Sequence, residues 1–421
     1  MNYLIKNATV YDKTSKWHLK KLDILISRGT IEKIATSIKN DEAKLVEGKD
    51  LGISPGWMDI GTTLREPGFE DLDDIGTLCT SANAGGFTAL AVFPNTNPVI
   101  DNKGAVETIL FRSSNQLTDL FPIGSLTVGN KGTDIAEMTD MHAAGALAFS
   151  DGEYSIQHAG VLKRALRYVS DMGTTIINHP NDRTLSETGI MNESGESAFM
   201  GLKGIPSLAE EIMLNRDIQL CAYSESRLLS HMISTRESVK LVKRAKQAGN
   251  KVYASVSFHN LVETDKRLRD FDPMHKVLPP LRSQSDVNAL IKGLNDDTID
   301  CIVSNHIPVD VEEKKKAFFF SAYGSLGLEQ LFAVLWSRLS SKLSLEVLLD
   351  KLSHGPRKVL GIPTNKIGEG EPANLTVFDL EEEWTFTESH IKSKSQNAAF
   401  LGEELKGKIL GVINGRKSFF Q

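Results

Sequence analysis

The sequence is short of cysteine, of long apolar runs and of positive charge. Its three cysteines, Cys79, Cys221 and Cys301, lie far apart and form no Cys-x-x-Cys pair. That spacing argues against a disulfide framework or a cysteine-bound metal, and fits thiols buried as small hydrophobes in a reducing compartment. No run of about 18 apolar residues exists, so no membrane-spanning helix is expected. The opening Met1-Asn2-Tyr3-Leu4-Ile5-Lys6-Asn7 lacks the basic and apolar regions of a secretory signal, and the expected location is the cytoplasm. A net charge of −6 disfavours nucleic acid as a partner. Also missing are a phosphate-cradling glycine loop, a His-Glu-x-x-His helix and a Gly-x-Ser-x-Gly elbow.

What is present is regular alternation. The 421 residues suggest two domains. Near the start, 22–26 and 30–34 read as a hairpin turning at Arg28-Gly29. Near the end, 373–379 and 408–416 read as strands. Between these, apolar strands are predicted at 54–60, 87–93, 120–126, 145–150, 174–179, 227–232, 252–257 and 299–304. Helices are predicted at 103–114, 158–172, 207–222, 235–248 and 284–295. Such strand-helix alternation predicts an α/β fold, a (β/α)8 TIM barrel over 55–365. The two chain ends, 1–54 and 366–421, are expected to pair into a small composite β-sandwich domain.

In such a barrel, functional side chains lie at the C-terminal ends of the strands. The first of those ends lies in Pro55-Gly56-Trp57-Met58-Asp59-Ile60-Gly61-Thr62-Thr63-Leu64-Arg65-Glu66-Pro67-Gly68. Others carry Pro94-Asn95-Thr96-Asn97-Pro98, Phe149-Ser150-Asp151-Gly152, Asn178-His179, His231-Met232-Ile233-Ser234-Thr235 and Ser304-Asn305-His306. With Met191-Asn192-Glu193, Gly204-Ile205-Pro206, Pro279-Pro280-Leu281-Arg282 and Ser393-Lys394-Ser395-Gln396-Asn397, the chain closely resembles dihydroorotase of the amidohydrolase superfamily over essentially its whole length. The resemblance implies the amidohydrolase type of barrel and a place in pyrimidine biosynthesis. That family opens and closes the dihydroorotate ring with zinc or a similar ion at the barrel mouth.

The resemblance also implies where the ion's ligands would stand. The family's two first-strand histidines fall on Gly61 and Thr63, and its bridging acid falls on Gly152. Its fifth-strand histidine falls on His179, its sixth-strand histidine on Met232, and its eighth-strand aspartate, both ligand and general base, on Asn305. Only His179 is kept. Zinc needs three or four N, O or S donors, and a thioether or an amide replaces imidazole or carboxylate poorly. Neighbours offer partial substitutes. Asp151 and Glu153 flank Gly152, and His259 and His306 lie near the site in the family. His231 adjoins Met232, so strand alternation points it to the opposite face unless a one-residue bulge turns it inward.

Loss of the ion has a chemical consequence. Bound metal lowers the pKa of water from about 16 to about 7, and Asn305 has no basic oxygen to accept a proton. Arg65, Asn95 and His306 match a vestigial substrate pocket, whereas Leu278 and Val309 replace polar residues of the family. The structural alternative has Arg65 pairing with a carboxylate, Asn95 fixing a turn and His179 satisfied in the interior. The expectation is therefore a protein with no bound metal and no catalytic residue, acting as a structural or regulatory partner. In some members of the family that partner is aspartate carbamoyltransferase. Two alternatives stay open. One is an active cyclic-amide hydrolase converting L-dihydroorotate to N-carbamoyl-L-aspartate, with zinc on substituted ligands or without metal. The other is a homo-oligomeric scaffold, such as a dimer.

Overall fold

The computed structural model describes residues 2–421. Eight parallel strands follow one another around a barrel: Trp57–Thr62, Phe87–Val92, Asp119–Gly124, Ala148–Phe149, Thr175–Asn178, Arg227–Ser230, Val252–Ser257 and Cys301–Val303. Residue alternation divides each strand between two environments. Ile60, Ala91, Ile123, Ile177, Leu229 and Val303 fill the barrel interior. Trp57, Leu90, Phe149, Leu228 and Ile302 face outward and pack beneath the helices. This is the packed centre of a (β/α)8 barrel, and it leaves the mouth as the place for a site.

The helices Lys103–Ser113, Ala159–Val169, Leu208–Ser224, Arg236–Gln247 and Gln284–Asn295 fall where the apolar periodicity predicted them. Local capping fixes their starts: Thr235 accepts from the Ser238 amide, and Ser283 and Asp286 form a reciprocal box. The helix Ile75–Ala84 was not foreseen. Its small and polar residues hide the apolar stripe, while Asp74 and Thr77 cap it reciprocally. The sixth strand was expected to run through residue 232. It ends at Ser230, because Met232 adopts φ 55° and turns the chain.

The seam between the first and eighth strands has no backbone ladder. A side chain bridges it instead. Asp59 accepts from the Ser304 amide at 2.8 Å and the Ser304 hydroxyl at 2.6 Å, and from the Thr62 hydroxyl at 2.6 Å. Burial pushes the Asp59 carboxyl above its ordinary range, and these hydrogen bonds oppose that shift. One turn further on, the Thr63 amide donates to the His306 carbonyl at 3.2 Å.

Both chain ends build one eight-stranded sheet beside the barrel. Lys417–Phe420, Glu404–Asn414, Asn374–Thr385, Leu51–Pro55, Tyr3–Val10, Lys21–Ser27 and Thr30–Ala35 lie in that spatial order, with Lys44–Val46 alongside Tyr3–Val10. The hairpin turn at Arg28 and Gly29 has φ 52° and 85°, the left-handed pair that matches strand twist. Among the described residues no helix is long and apolar enough to cross a membrane.

Candidate functional site

The strand ends enclose a cavity of about 470 Å³. Gly61, Thr63, Gly152, His179, Met232 and Asn305 all line it, as does Arg65. The six positions inferred from resemblance therefore converge, although they come from five different strands. Asn95 and His306 do not line the cavity.

Around Gly61 the expected geometry needs a correction. His231 does not face away from the barrel. It continues the inward alternation of Leu229, and its ring lies against Gly61 and edge-on to Phe93, with centroids 5.2 Å apart. A Cβ at Gly61 would stand 2.7 Å from both His231 Nε2 and the Phe93 ring, and the Gly61 φ is 84°. The glycine is thus required by close approach and by backbone conformation alike. Nδ1 of His231 meets the Ser255 hydroxyl at 3.0 Å. Burial, then the neighbouring His179, push His231 down to about 3, so it stays neutral. His231 faces inward, buried behind Gly61, and the left-handed turn at Met232 brings that next side chain to the cavity wall, so both lie on the barrel's inner side, which uninterrupted alternation did not allow.

His179 holds its place through Nδ1, 3.2 Å from the His231 carbonyl. A carbonyl only accepts, so Nδ1 carries the proton and Nε2 is an acceptor. Burial lowers the His179 pKa and keeps the ring neutral. Asn305 has φ 47° and donates from Nδ2 to the Leu278 carbonyl at 2.9 Å. His306 lies behind it, fully buried, where Nδ1 accepts from the Gly327 amide at 3.2 Å and Nε2 lies 3.8 Å from Asp73. His259 is also buried behind the mouth, between Phe258 and Phe400.

On the opposite wall, Asn95 clasps the turn after the fourth strand. Nδ2 donates to the Asp151 carbonyl at 3.0 Å, and Oδ1 accepts from the Glu153 amide at 3.1 Å. Asp151 points away from the cavity and accepts from the Thr127 amide at 2.8 Å. Glu153 does reach the cavity, 3.3 Å from the Thr63 hydroxyl and 3.8 Å from Arg65 Nη1. Arg65 also donates to the Pro308 carbonyl from Nε at 3.2 Å and from Nη2 at 3.0 Å.

The motifs that survive intact form the frame of the mouth. Arg282, buried, donates to Asn192 Oδ1 at 2.9 Å, the Ile205 carbonyl at 3.0 Å and Ser234 Oγ at 3.0 Å, and faces Glu210 at 3.7 Å. Glu66 accepts from the Ile75 amide at 3.0 Å and pairs with Arg112. Ser393 donates to Asp73 at 2.9 Å, and Asn397 binds the Ile307 carbonyl and the Val309 amide. Each joins loops far apart in sequence.

The donor set does not fit a zinc ion. The six family ligand positions carry one neutral imidazole, a thioether, an amide, a hydroxyl and two glycines where imidazoles and carboxylates would be needed, and the carboxylates that do line the cavity, Glu153, Asp310 and Glu313, stand at other positions. Among the described residues no three His, Cys, Asp or Glu side chains converge in a metal-holding group.

This barrel, with its mouth cavity and a sheet made from both chain ends, has the architecture of the hydantoinases. It superposes on L-hydantoinase (dihydropyrimidinase) from Arthrobacter aurescens with a TM-score of 0.86 at 22% identity, covering 100% of this chain and 96% of that one. A D-hydantoinase crystal structure gives 0.83 at 19% identity, covering 100% and 95%. The sequence is more specific. Residues 51–238 match the model of the dihydro-orotase-like family. The chain is 39% identical to a dihydroorotase of Caldicellulosiruptor saccharolyticus across 98% of its own length and 97% of the relative's. It is 36% identical to that of Geobacter metallireducens across the full length of both. The chain belongs to the dihydroorotase family.

Proposed function

We propose that this protein serves pyrimidine biosynthesis as a dihydroorotase-like chain without bound metal or hydrolytic activity, acting as a structural or regulatory partner. Full-length relatives named dihydroorotase support the pathway. One observation carries the loss of chemistry: two of the former ligand positions are now glycines whose missing Cβ space is filled, Gly61 by His231 and Gly152 by Asn95. At these two positions the space that a ligand side chain would need is already taken. With imidazole and carboxylate missing from five of the six family ligand positions, and with Asn305 at the general-base position, the metal-bound hydroxide and the eighth-strand carboxylate base of the family have no counterpart at those positions.

The partner we propose is aspartate carbamoyltransferase, with a homo-oligomer, such as a dimer, as the form in which the chain associates with it. The retained frame around the mouth supports this reading, since it keeps the barrel surface built while the cavity has changed. Co-elution of the purified chain with its cognate transferase at micromolar concentration is the expected result. Separate elution, or hydrolysis of dihydroorotate by metal-supplemented protein, would overturn the proposal.

The inward ring of His231 favours a second reading. With His179 it gives two imidazoles in the barrel, so a cyclic-amide hydrolase using zinc on substituted ligands has more support than strand alternation allowed. A third protein donor is what it lacks. Stoichiometric zinc in protein purified without chelator would select this reading.

A further inference from the structure

We infer that the mouth cavity is a binding site for small aromatic amines rather than for carboxylates. The inference rests on the reading of the mouth as metal-free. It starts from the charges on the cavity wall. Three carboxylates, Glu153, Asp310 and Glu313, line the cavity against a single guanidinium, Arg65. Glu313 also pairs with Lys316 at the surface. Arg65 is already engaged, by the Pro308 carbonyl at 3.0 Å and by Glu153 at 3.8 Å. An incoming carboxylate would have to compete with the Pro308 carbonyl and Glu153 for that one guanidinium, and it meets like charge.

The remaining polar groups lead the same way. His179 presents Nε2 as an acceptor, because its Nδ1 proton goes to the His231 carbonyl. Asn305 directs its own amide donor to the Leu278 carbonyl. These two groups leave acceptors toward the cavity, which a ligand N–H satisfies. Phe69, Phe93, Tyr154 and Tyr323 contribute aromatic surface. Rings of that kind stack on an apolar ring; Arg65, Arg183 and Lys276 already lie over Phe69, Tyr154 and Tyr323 at 6.0, 5.3 and 4.9 Å, so a ligand ammonium is left to the carboxylates. At about 470 Å³ the cavity is within the size range of small-molecule sites.

Calorimetric and thermal-shift titrations of the full chelator-treated chain test this with two probes of matched shape, tryptamine and indole-3-acetate. Tryptamine is expected to bind at least tenfold tighter and to raise Tm. Ala322→Phe, which fills the cavity from its wall, is expected to abolish binding. Glu153→Gln frees Arg65 and should narrow or reverse the preference. Equal or tighter binding of indole-3-acetate would overturn the inference. So would no binding of either probe at millimolar concentration, or undiminished tryptamine binding in folded Ala322→Phe. Failure of the metal-free reading shows separately, as zinc uptake by protein never exposed to chelator.

Discussion

The side-chain oxygen of Asn95 lies 1.7 Å from the point where a Cβ on residue 152 would sit. The retained asparagine and a restored acid therefore compete for one space. Gly152→Asp is expected to cost about 1–3 kcal/mol of stability by displacing the Asn95 clasp. It should not produce zinc binding. Urea melts and elemental analysis check both. Combining it with Asn95→Ala should cost less than the sum of the two single changes, because the clash is shared.

Gly61→His meets two obstacles, a φ of 84° and the rings of His231 and Phe93 at 2.7 Å. We expect the Gly61→His/Thr63→His double variant to lose about 2–4 kcal/mol and to remain without metal. Stoichiometric zinc in that variant, with unchanged melting, would show that the strand end rearranges freely.

Acid should destabilise the fold through two buried histidines. Burial pushes both His231 and His259 down to about 3, from an ordinary value near 6.5. Between those values the unfolded chain binds protons that the folded chain refuses. Stability is full above about pH 6.5 and falls on acidification toward pH 3, with a slope of up to roughly 1.4 kcal/mol per pH unit for each histidine. His231→Asn should flatten the pH dependence of the urea midpoint over that window. An unchanged slope would sink the assignment.

Two lysines predict the opposite limb. Lys314 donates to the Pro273 carbonyl at 2.9 Å, and Lys276 to those of Phe318 and Ser321 at 2.7 Å each. Neither pairs with a carboxylate, and burial lowers them to about 7 and about 8 from 10.5. The folded chain releases these protons first. Stability should therefore rise as pH climbs from about 7 toward 10, and Lys314→Met should remove part of that rise. Denaturation at several alkaline pH values measures it.

Removing the centre of the frame should be costly. Arg282→Met strands Glu210 in a buried setting, and a loss of about 3–5 kcal/mol is expected. Loss of cooperativity in thermal unfolding of the mouth loops would accompany it.

The barrel was legible because its signal is repetitive: apolar strands and amphipathic helices recur along the chain, and each misplacement is local. The convergence of Gly61, Thr63, Gly152, His179, Met232 and Asn305 was also legible, through the residues beside them. What the sequence hid was orientation. The side His231 faces depends on where the strand stops, and Met232 shows no glycine or proline to mark its left-handed turn. Asn95 read equally well as a substrate ligand or a turn clasp, since one amide serves either purpose. Arg65 was undecided for a similar reason. Its partner is a backbone carbonyl from more than 240 residues away, and no sequence pattern records such a contact.

The carboxylate of Asp59 has a mechanical meaning. Neighbouring barrel strands share a row of backbone bonds, which spreads any load along their length. The first and eighth strands are instead riveted by this one carboxylate just below the mouth, and the chain beyond them is tied again by the Thr63 amide on the His306 carbonyl and by Arg65 on the Pro308 carbonyl. Loops that follow them, carrying Thr63 and Arg65 on one side and Asn305 and Pro308 on the other, must therefore ride together as a single plate. A partner pressing on either loop would transmit its push to both. Cutting the rivet would let the cylinder unroll from that edge first.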